Sequence, residues 1–209
     1  AGVREQLDAA SDDDAGELRS LGLGQWWGDP DYSARERRNV RPTLEVNGMW
    51  GGFQGAGIKT VLPREAYAKI TCRLVVGQDP DDIIAKLRRH VEAVTPPGVE
   101  VSFEPLAGSG FAYQMPVDHA ALAVASASLE AVYGRPAFPV WTGGTVPVVE
   151  QFQRLLGVWC LYFAFGEPDT NIHAPNEFFR IPSIRLGTEA TVRLLTGLAA
   201  TPASFEPPA

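Results

Sequence analysis

Two strand-like runs of opposite character set the limits on this fold. From Ala66 to Leu74 the apolar residues Ala66, Ala68, Ile70, Cys72 and Leu74 alternate strictly with Tyr67, Lys69, Thr71 and Arg73. A period of two belongs to a sheet with one buried and one polar face. From Val158 to Phe165 the run is apolar without interruption. That is the pattern of a strand covered on both faces, as in a parallel sheet. One chain carrying both patterns predicts two layers of different architecture.

The flanking segments agree with each layer. Leu44 and Val46 alternate with polar neighbours ahead of a glycine-rich turn at Gly48, Gly51, Gly52, Gly55 and Gly57. Asp79-Pro80 opens a helix, with Asp as N-cap and Pro at the first helical position. Ile83, Ile84, Leu87, Val91 and Val94 supply its apolar stripe, and Pro96-Pro97-Gly98 ends it. Val99, Val101 and Phe103 mark a further strand. This order predicts an α+β layer of ferredoxin-like type over residues 43–107. After a glycine-rich linker the pattern changes. A helix is expected over Asp118–Tyr133, a short strand over Ala137–Trp141 and a helix over Val146–Leu156. The buried strand Val158–Phe165 and a closing helix Ile184–Leu198 follow. Alternating helices and buried strands predict part of a parallel α/β sheet over residues 108–209. Residues 1–42 read as an irregular arm, in which Ser11-Asp12-Asp13-Asp14 caps a short helix through Leu18 and Leu21. The proline-bearing tail from Thr201 to Ala209 is expected to fray.

Composition narrows the function. A net charge of −7 argues against a surface that tracks nucleic-acid phosphates. No apolar run is long enough to span a bilayer, and no signal-peptide pattern opens the chain. The chain starts Ala1-Gly2-Val3, which leads us to expect a fragment or a processed protein. Cys72 and Cys160 both sit in apolar runs and read as buried thiols, neither a disulfide nor a zinc pair, which suits the cytoplasm.

The residues that could carry chemistry gather in loops. In open α/β sheets ligands bind beyond the carboxyl ends of strands. Thr142-Gly143-Gly144-Thr145 follows the strand ending at Trp141, and Asn171-Ile172-His173 follows the strand ending at Phe165. Backbone N–H groups of Gly143, Gly144 and Thr145 at a helix start can hold an anion such as a carboxylate. A Gly-Gly turn taken alone is a structural turn. His173 stands in the polar stretch Asp169 to Glu177, where an imidazole can be a metal ligand or an ordinary surface histidine. Glu177, four residues on, could orient that loop through a hydrogen bond. Arg73, on the polar face of its strand, suits bidentate grip of a carboxylate, or is a solvated arginine beside Lys69. His90 reads as a solvated helix residue and His119 as a helix cap.

Gly51-Gly52-Phe53, Lys59-Thr60-Val61-Leu62-Pro63, Cys72-Arg73-Leu74, Thr142-Gly143-Gly144-Thr145-Val146-Pro147 and the His173 loop occur in a telling order. In order and spacing, from about Arg41 to Leu195, they resemble the second half of a zinc-dependent dipeptidase of the carnosinase, aminoacylase and succinyl-diaminopimelate desuccinylase family. The resemblance implies a lid that dimerises and closes over the substrate, followed by part of a catalytic α/β domain. It implies that His173 is a metal ligand that also lies against the scissile group. Thr60 and Arg73 would hold the C-terminal end of the substrate, and Thr145, often Ser in the family, would contact the same carboxylate. Gly143 and Gly144 belong to that substrate loop. The cofactor implied is zinc, two ions in the full-length enzyme, with manganese or cobalt as substitutes. Two metals roughly 3.5–4 Å apart would activate a water that a carboxylate base deprotonates. The substrate implied is a small peptide or N-acyl amino acid, and the partner a second copy of the chain.

This sequence also departs from the family. Leu106-Ala107-Gly108-Ser109-Gly110 stands where many relatives carry His-Gly-Gly. His-x-Asp and Glu-Glu motifs are absent. One imidazole cannot hold a catalytic zinc, which needs about three protein ligands. The expectation is therefore a fragment of a metal-dependent hydrolase, inactive by itself. The rival reading is a non-catalytic dimerisation or small-molecule-binding module on the ferredoxin-like part.

Overall fold

The computed structural model describes residues 14–143, 146–167 and 169–201. The proposed cap residues 11–13, the loop residues Gly144 and Thr145, and the tail beyond Thr201 lie outside them. The chain forms two compact units, residues 1–113 with 141–147, and residues 114–140 with 148–209.

In the first unit, helices α1 (Asp14–Ser20) and α2 (Ala34–Asn39) precede strands β1 (Thr43–Gly51) and β2 (Ala66–Arg73) and helix α3 (Pro80–Val94). Helix α2 starts in a capping box: the Glu36 N–H donates to the Ser33 hydroxyl, and the Ser33 N–H donates to the Glu36 carboxylate at 2.7 Å. Asp79 caps α3 as expected, its Oδ1 accepting from the N–H groups of Asp81 at 2.8 Å and Asp82 at 3.4 Å. β1 and β2 pair antiparallel, with Thr43 opposite Arg73 and Gly51 opposite Ala66. The register slips between Val46 and Gly48, so Asn47 is an extra, unpaired residue in β1. Because successive side chains point to opposite faces, the bulge decides which residues of β1 join which face. It places Thr43, Glu45, Gly48 and Trp50 opposite Arg73, Thr71, Lys69 and Tyr67. Trp50 and Tyr67 stack with ring centroids 5.0 Å apart.

Three expectations need correction here. Gly48 and Gly51 belong to β1 and not to a turn. The apolar face of the ribbon is open, with Val46 52% and Met49 77% exposed. The alternation was read correctly, but no described element packs closely enough on Leu44, Val46, Met49 and Ile70 to bury them. Third, Val99–Phe103 is not paired as a strand.

In the second unit, helices α4 (Ala120–Tyr133), α5 (Pro147–Leu156) and α6 (Ile181–Ala200) lie close to the predicted ranges. His119 caps α4, its Nδ1 accepting from the Ala121 N–H at 3.2 Å. Gly134 ends the helix in the left-handed conformation, at φ 68°. α4 packs on α6, and the buried residues are Ala121, Ala125 and Ser128 on the first and Ser183, Gly187, Ala190 and Leu194 on the second. The approach is close enough that a Cβ on Gly197 would lie 2.6 Å from Val124.

The predicted parallel strands Ala137–Trp141 and Val158–Phe165 do not form a ladder. Among the described residues the sheet has two strands, β1 and β2. A strand exists only through its neighbour, and no described segment supplies one to these runs. Phe138, Val140 and Tyr162 are accordingly exposed. The mixed α/β class holds, while the sheet that would bury these runs is not completed among the described residues. None of the described helices is long and apolar enough to cross a membrane.

Candidate functional site

The polar face of the β1–β2 ribbon gathers one cluster. Arg73, at the end of β2, donates from Nη1 to the Gly143 carbonyl at 2.7 Å. Its Nε lies 3.6 Å from Glu45 Oε1. Glu45 in turn accepts from the Thr43 hydroxyl and, at 3.5 Å, from the Thr71 hydroxyl. The cross-strand register produces this arrangement, since Glu45 faces Thr71 and Thr43 faces Arg73. Gly143 sits tightly against α2, where a Cβ would clash with the Arg38 carbonyl oxygen. On the opposite face of β2, burial first and the Glu45 charge second push the Cys72 thiol up, so it stays protonated.

Thr60 is placed elsewhere. It is exposed in the connection 52–65, between Lys59 and Val61. Those neighbours line an open groove with Trp50, Gly52, Phe53 and Tyr67 at the turn end of the ribbon. Arg73 is six residues beyond Tyr67 along β2, roughly 20 Å away at the usual strand rise. Thr60 and Arg73, both expected at the C-terminal end of the substrate, therefore stand at opposite ends of the ribbon. The strand alternation was legible, but the way a fourteen-residue connection folds back was not.

In the second unit, His173 lies in a loop with unusual backbone. Asn171, His173 and Asn176 adopt positive φ, at 55°, 62° and 63°. Asn tolerates this region; for His it costs on the order of 1 kcal/mol or more. The loop is closed by the Phe178 N–H donating to the Thr170 carbonyl at 3.1 Å. Thr170 is buried and donates its hydroxyl to the Glu167 carbonyl at 2.8 Å. Arg180 braces the loop through a bidentate pair with Asp169, at 2.8 and 2.7 Å. The imidazole of His173 is exposed. Glu177 contributes its N–H to the Ala174 carbonyl, and its carboxylate makes no hydrogen bond to His173.

The Arg180 guanidinium, by its hydrogen bond first, holds the Asp169 carboxyl below the usual carboxylate range. A depressed carboxyl stabilises the fold above its unfolded pKa and loses that contribution as pH falls through the folded value. Arg180→Ala should raise the Asp169 titration back into the usual carboxylate range in a carboxyl NMR experiment. It should also loosen the loop at neutral pH, measured as faster amide exchange at Phe178. An unmoved Asp169 titration would show that Arg180 does not brace the loop.

The described residues do not make up a metal centre. Among the described residues no three of His, Cys, Asp and Glu are gathered as a cation requires. His173 is a single candidate ligand, and no catalytic step through a metal follows from this chain alone. Glu45, Asp169 and Arg180 escaped the sequence reading. Glu45 occupies an alternating polar position in the strand facing Arg73, a signal usable only once the pairing register is known.

Comparison with known proteins locates these features. Residues 3–99 match the family model described as Peptidase dimerisation domain. The chain is 29% identical over 139 residues to the Cys-Gly metallodipeptidase dug1 of Schizosaccharomyces pombe, covering 65% of this chain and 29% of that protein. It is 26% identical over 140 residues to the Beta-Ala-His dipeptidase of Rattus norvegicus, covering 65% of this chain and 28% of that protein. The fold resembles the M20 family metallo-carboxypeptidase Sso-CP2 of Sulfolobus solfataricus, with a TM-score of 0.81 at 24% identity, over 96% of this chain and 45% of that one. It also resembles the dipeptidase Dug1p of Saccharomyces cerevisiae, with a TM-score of 0.77 at 22% identity, over 95% of this chain and 42% of that one. This chain thus spans less than half the length of the proteins it matches. Its residues 3–99 match a peptidase dimerisation domain, and the chain is homologous to one part of these metallodipeptidases.

Proposed function

We propose that this chain is the lid and the second part of the catalytic domain of a metal-dependent hydrolase that cleaves dipeptides or related N-acyl amide bonds. The observation that carries the reading is its similarity, over 65% of its length, to Cys-Gly and Beta-Ala-His dipeptidases. In this reading residues 43–107 are the lid, residues 108–209 belong to the catalytic domain, and 1–42 is the lid's arm. His173 supplies one ligand to a two-zinc centre, and the left-handed backbone that presents it is consistent with a functional constraint. Arg73 with the Gly143-Gly144-Thr145 loop receives the substrate carboxylate, Thr60 contacts the substrate from the turn end, and Glu177 steadies the His173 loop. The zinc would polarise the scissile carbonyl and supply a water nucleophile at neutral pH. The remaining ligands and the general base lie outside this sequence, so the chain alone is inactive. The free thiols Cys72 and Cys160 suit a reducing cytoplasm. The dimerisation domain supports a homodimer through the lid.

The test compares the isolated chain with the full-length protein. The isolated chain should hydrolyse no dipeptide and bind zinc weakly, without defined stoichiometry, by calorimetry. The full-length protein should hold zinc, lose part of it on His173→Ala, cleave members of a dipeptide panel and scatter light as a dimer. Tight equimolar zinc on the isolated chain, lost on His173→Ala, would mean that a complete ligand set exists here.

A further inference from the structure

The Arg73 side chain is long and half-exposed, with 56% of its surface open. Such a side chain samples many rotamers unless it is held, and ordering it on binding costs free energy. Here two contacts fix it. The Gly143 carbonyl takes one Nη1 proton, and Glu45 lies 3.6 Å from Nε. Glu45 is itself restrained by the hydroxyls of Thr43 and Thr71 on the two strands. The Nη2 group makes no hydrogen bond to a described residue, so the outer edge of the guanidinium stays open. That edge is the one a carboxylate engages bidentately.

We propose that Glu45 is a positioning residue, which aims the Arg73 guanidinium at the carboxylate of a peptide substrate. The inference rests on the carboxylate-binding reading of Arg73 given above. Glu45 sits on the Nε side while an incoming carboxylate would approach Nη2, so the two anions do not compete for the same protons. The backbone carbonyl of Gly143 fixes one end of the planar group and Glu45 the other, which sets its orientation as well as its place. Thr43 and Thr71 act one step further out, by restricting the Glu45 rotamer.

The experiment uses the full-length enzyme with a matched pair of peptides, one ending in a free carboxylate and one amidated. Glu45→Ala should raise KM for the acid about 2- to 5-fold, the scale of a partly exposed charge contact, and change kcat less. The amide should be unaffected. In a nitrogen-15 spectrum the Arg73 Nε–H should lose its order in Glu45→Ala and regain it in Glu45→Gln, whose amide oxygen still lies beside Nε and accepts from the threonines. Glu45→Gln should also recover most of the KM. An Arg73 Nε–H equally ordered in Glu45→Ala would overturn the proposal. So would an equal loss for acid and amide with a lowered melting temperature, which marks a purely structural residue. If Arg73 loses order in Glu45→Ala, yet Arg73→Ala treats acid and amide alike, the positioning contact stands and the carboxylate reading of Arg73 falls.

Discussion

Arg73→Ala in the full-length enzyme is expected to lower kcat/KM roughly 10- to 150-fold for peptides that end in a free carboxylate. The estimate follows from one lost charge-assisted hydrogen bond, worth about 1.5–3 kcal/mol. Amidated peptides carry no negative charge there, so they should be poor substrates of the wild type and hardly worsened by the substitution. The structure adds a competing possibility that the same pair of substrates resolves. Arg73 also ties the ribbon to the loop at Gly143, through the 2.7 Å bond to its carbonyl. If that tie is the main role, acid and amide will lose activity together and the melting temperature will fall. A loss confined to the acid assigns Arg73 to the substrate.

Gly143→Ala should be the most damaging single-methyl change on this face. Its Cβ would clash with the Arg38 carbonyl oxygen, and backbone, unlike the tip of a flexible side chain, yields little. Overpacking of this kind costs about 1–3 kcal/mol. For a chain of this size each kcal/mol lowers the melting temperature by about 2–4 °C. The displacement would also move the acceptor of Arg73, so acid substrates should suffer beyond the loss of stability. Gly24→Ala is the control: nothing lies within 4 Å of its Cβ, and the melt should be unchanged. A Gly143→Ala protein melting with the wild type would mean that the loop approaches α2 less closely than described.

Much of the local structure was written in the sequence because its causes are local. Asp79-Pro80 starts a helix by capping chemistry, His119 accepts from an N–H two residues on, and the alternation of Tyr67, Lys69, Thr71 and Arg73 fixes their common face. What failed depended on partners far along the chain or outside it. Val158–Phe165 has the composition of a buried strand, yet a ladder needs a second strand that none of the described residues provides. The candidate site was legible to the same degree. His173 and Arg73 stood out by residue type and position; the first lies on left-handed backbone, and the guanidinium of the second is tied to the Gly143 carbonyl. Glu45 was invisible until the register placed it opposite Thr71. Thr60 was misjudged relative to Arg73, because sequence proximity says nothing of which end of a hairpin a long connection occupies. Gly144 and Thr145 lie outside the described residues.

The unpaired Asn47 has a consequence for how such a ribbon can change over generations. It splits β1 into two segments whose facing is set independently: Thr43 and Glu45 before it, Gly48 and Trp50 after it. Substitutions within either segment alter one side chain at a time. Deleting Asn47 would turn nothing over, because Val46 already stands opposite Ile70 and Gly48 opposite Lys69, and the two segments would join as one regular ladder. Deleting a neighbour instead would draw Asn47 into the ladder and turn over the residues between the two points. Losing Leu44 in this way would carry Glu45 to the side of Ile70 and Cys72. The ribbon can therefore lose one residue at this point, and keep both the aromatic stack and the carboxylate beside Arg73, where a single-codon deletion at Leu44 would cost it that carboxylate.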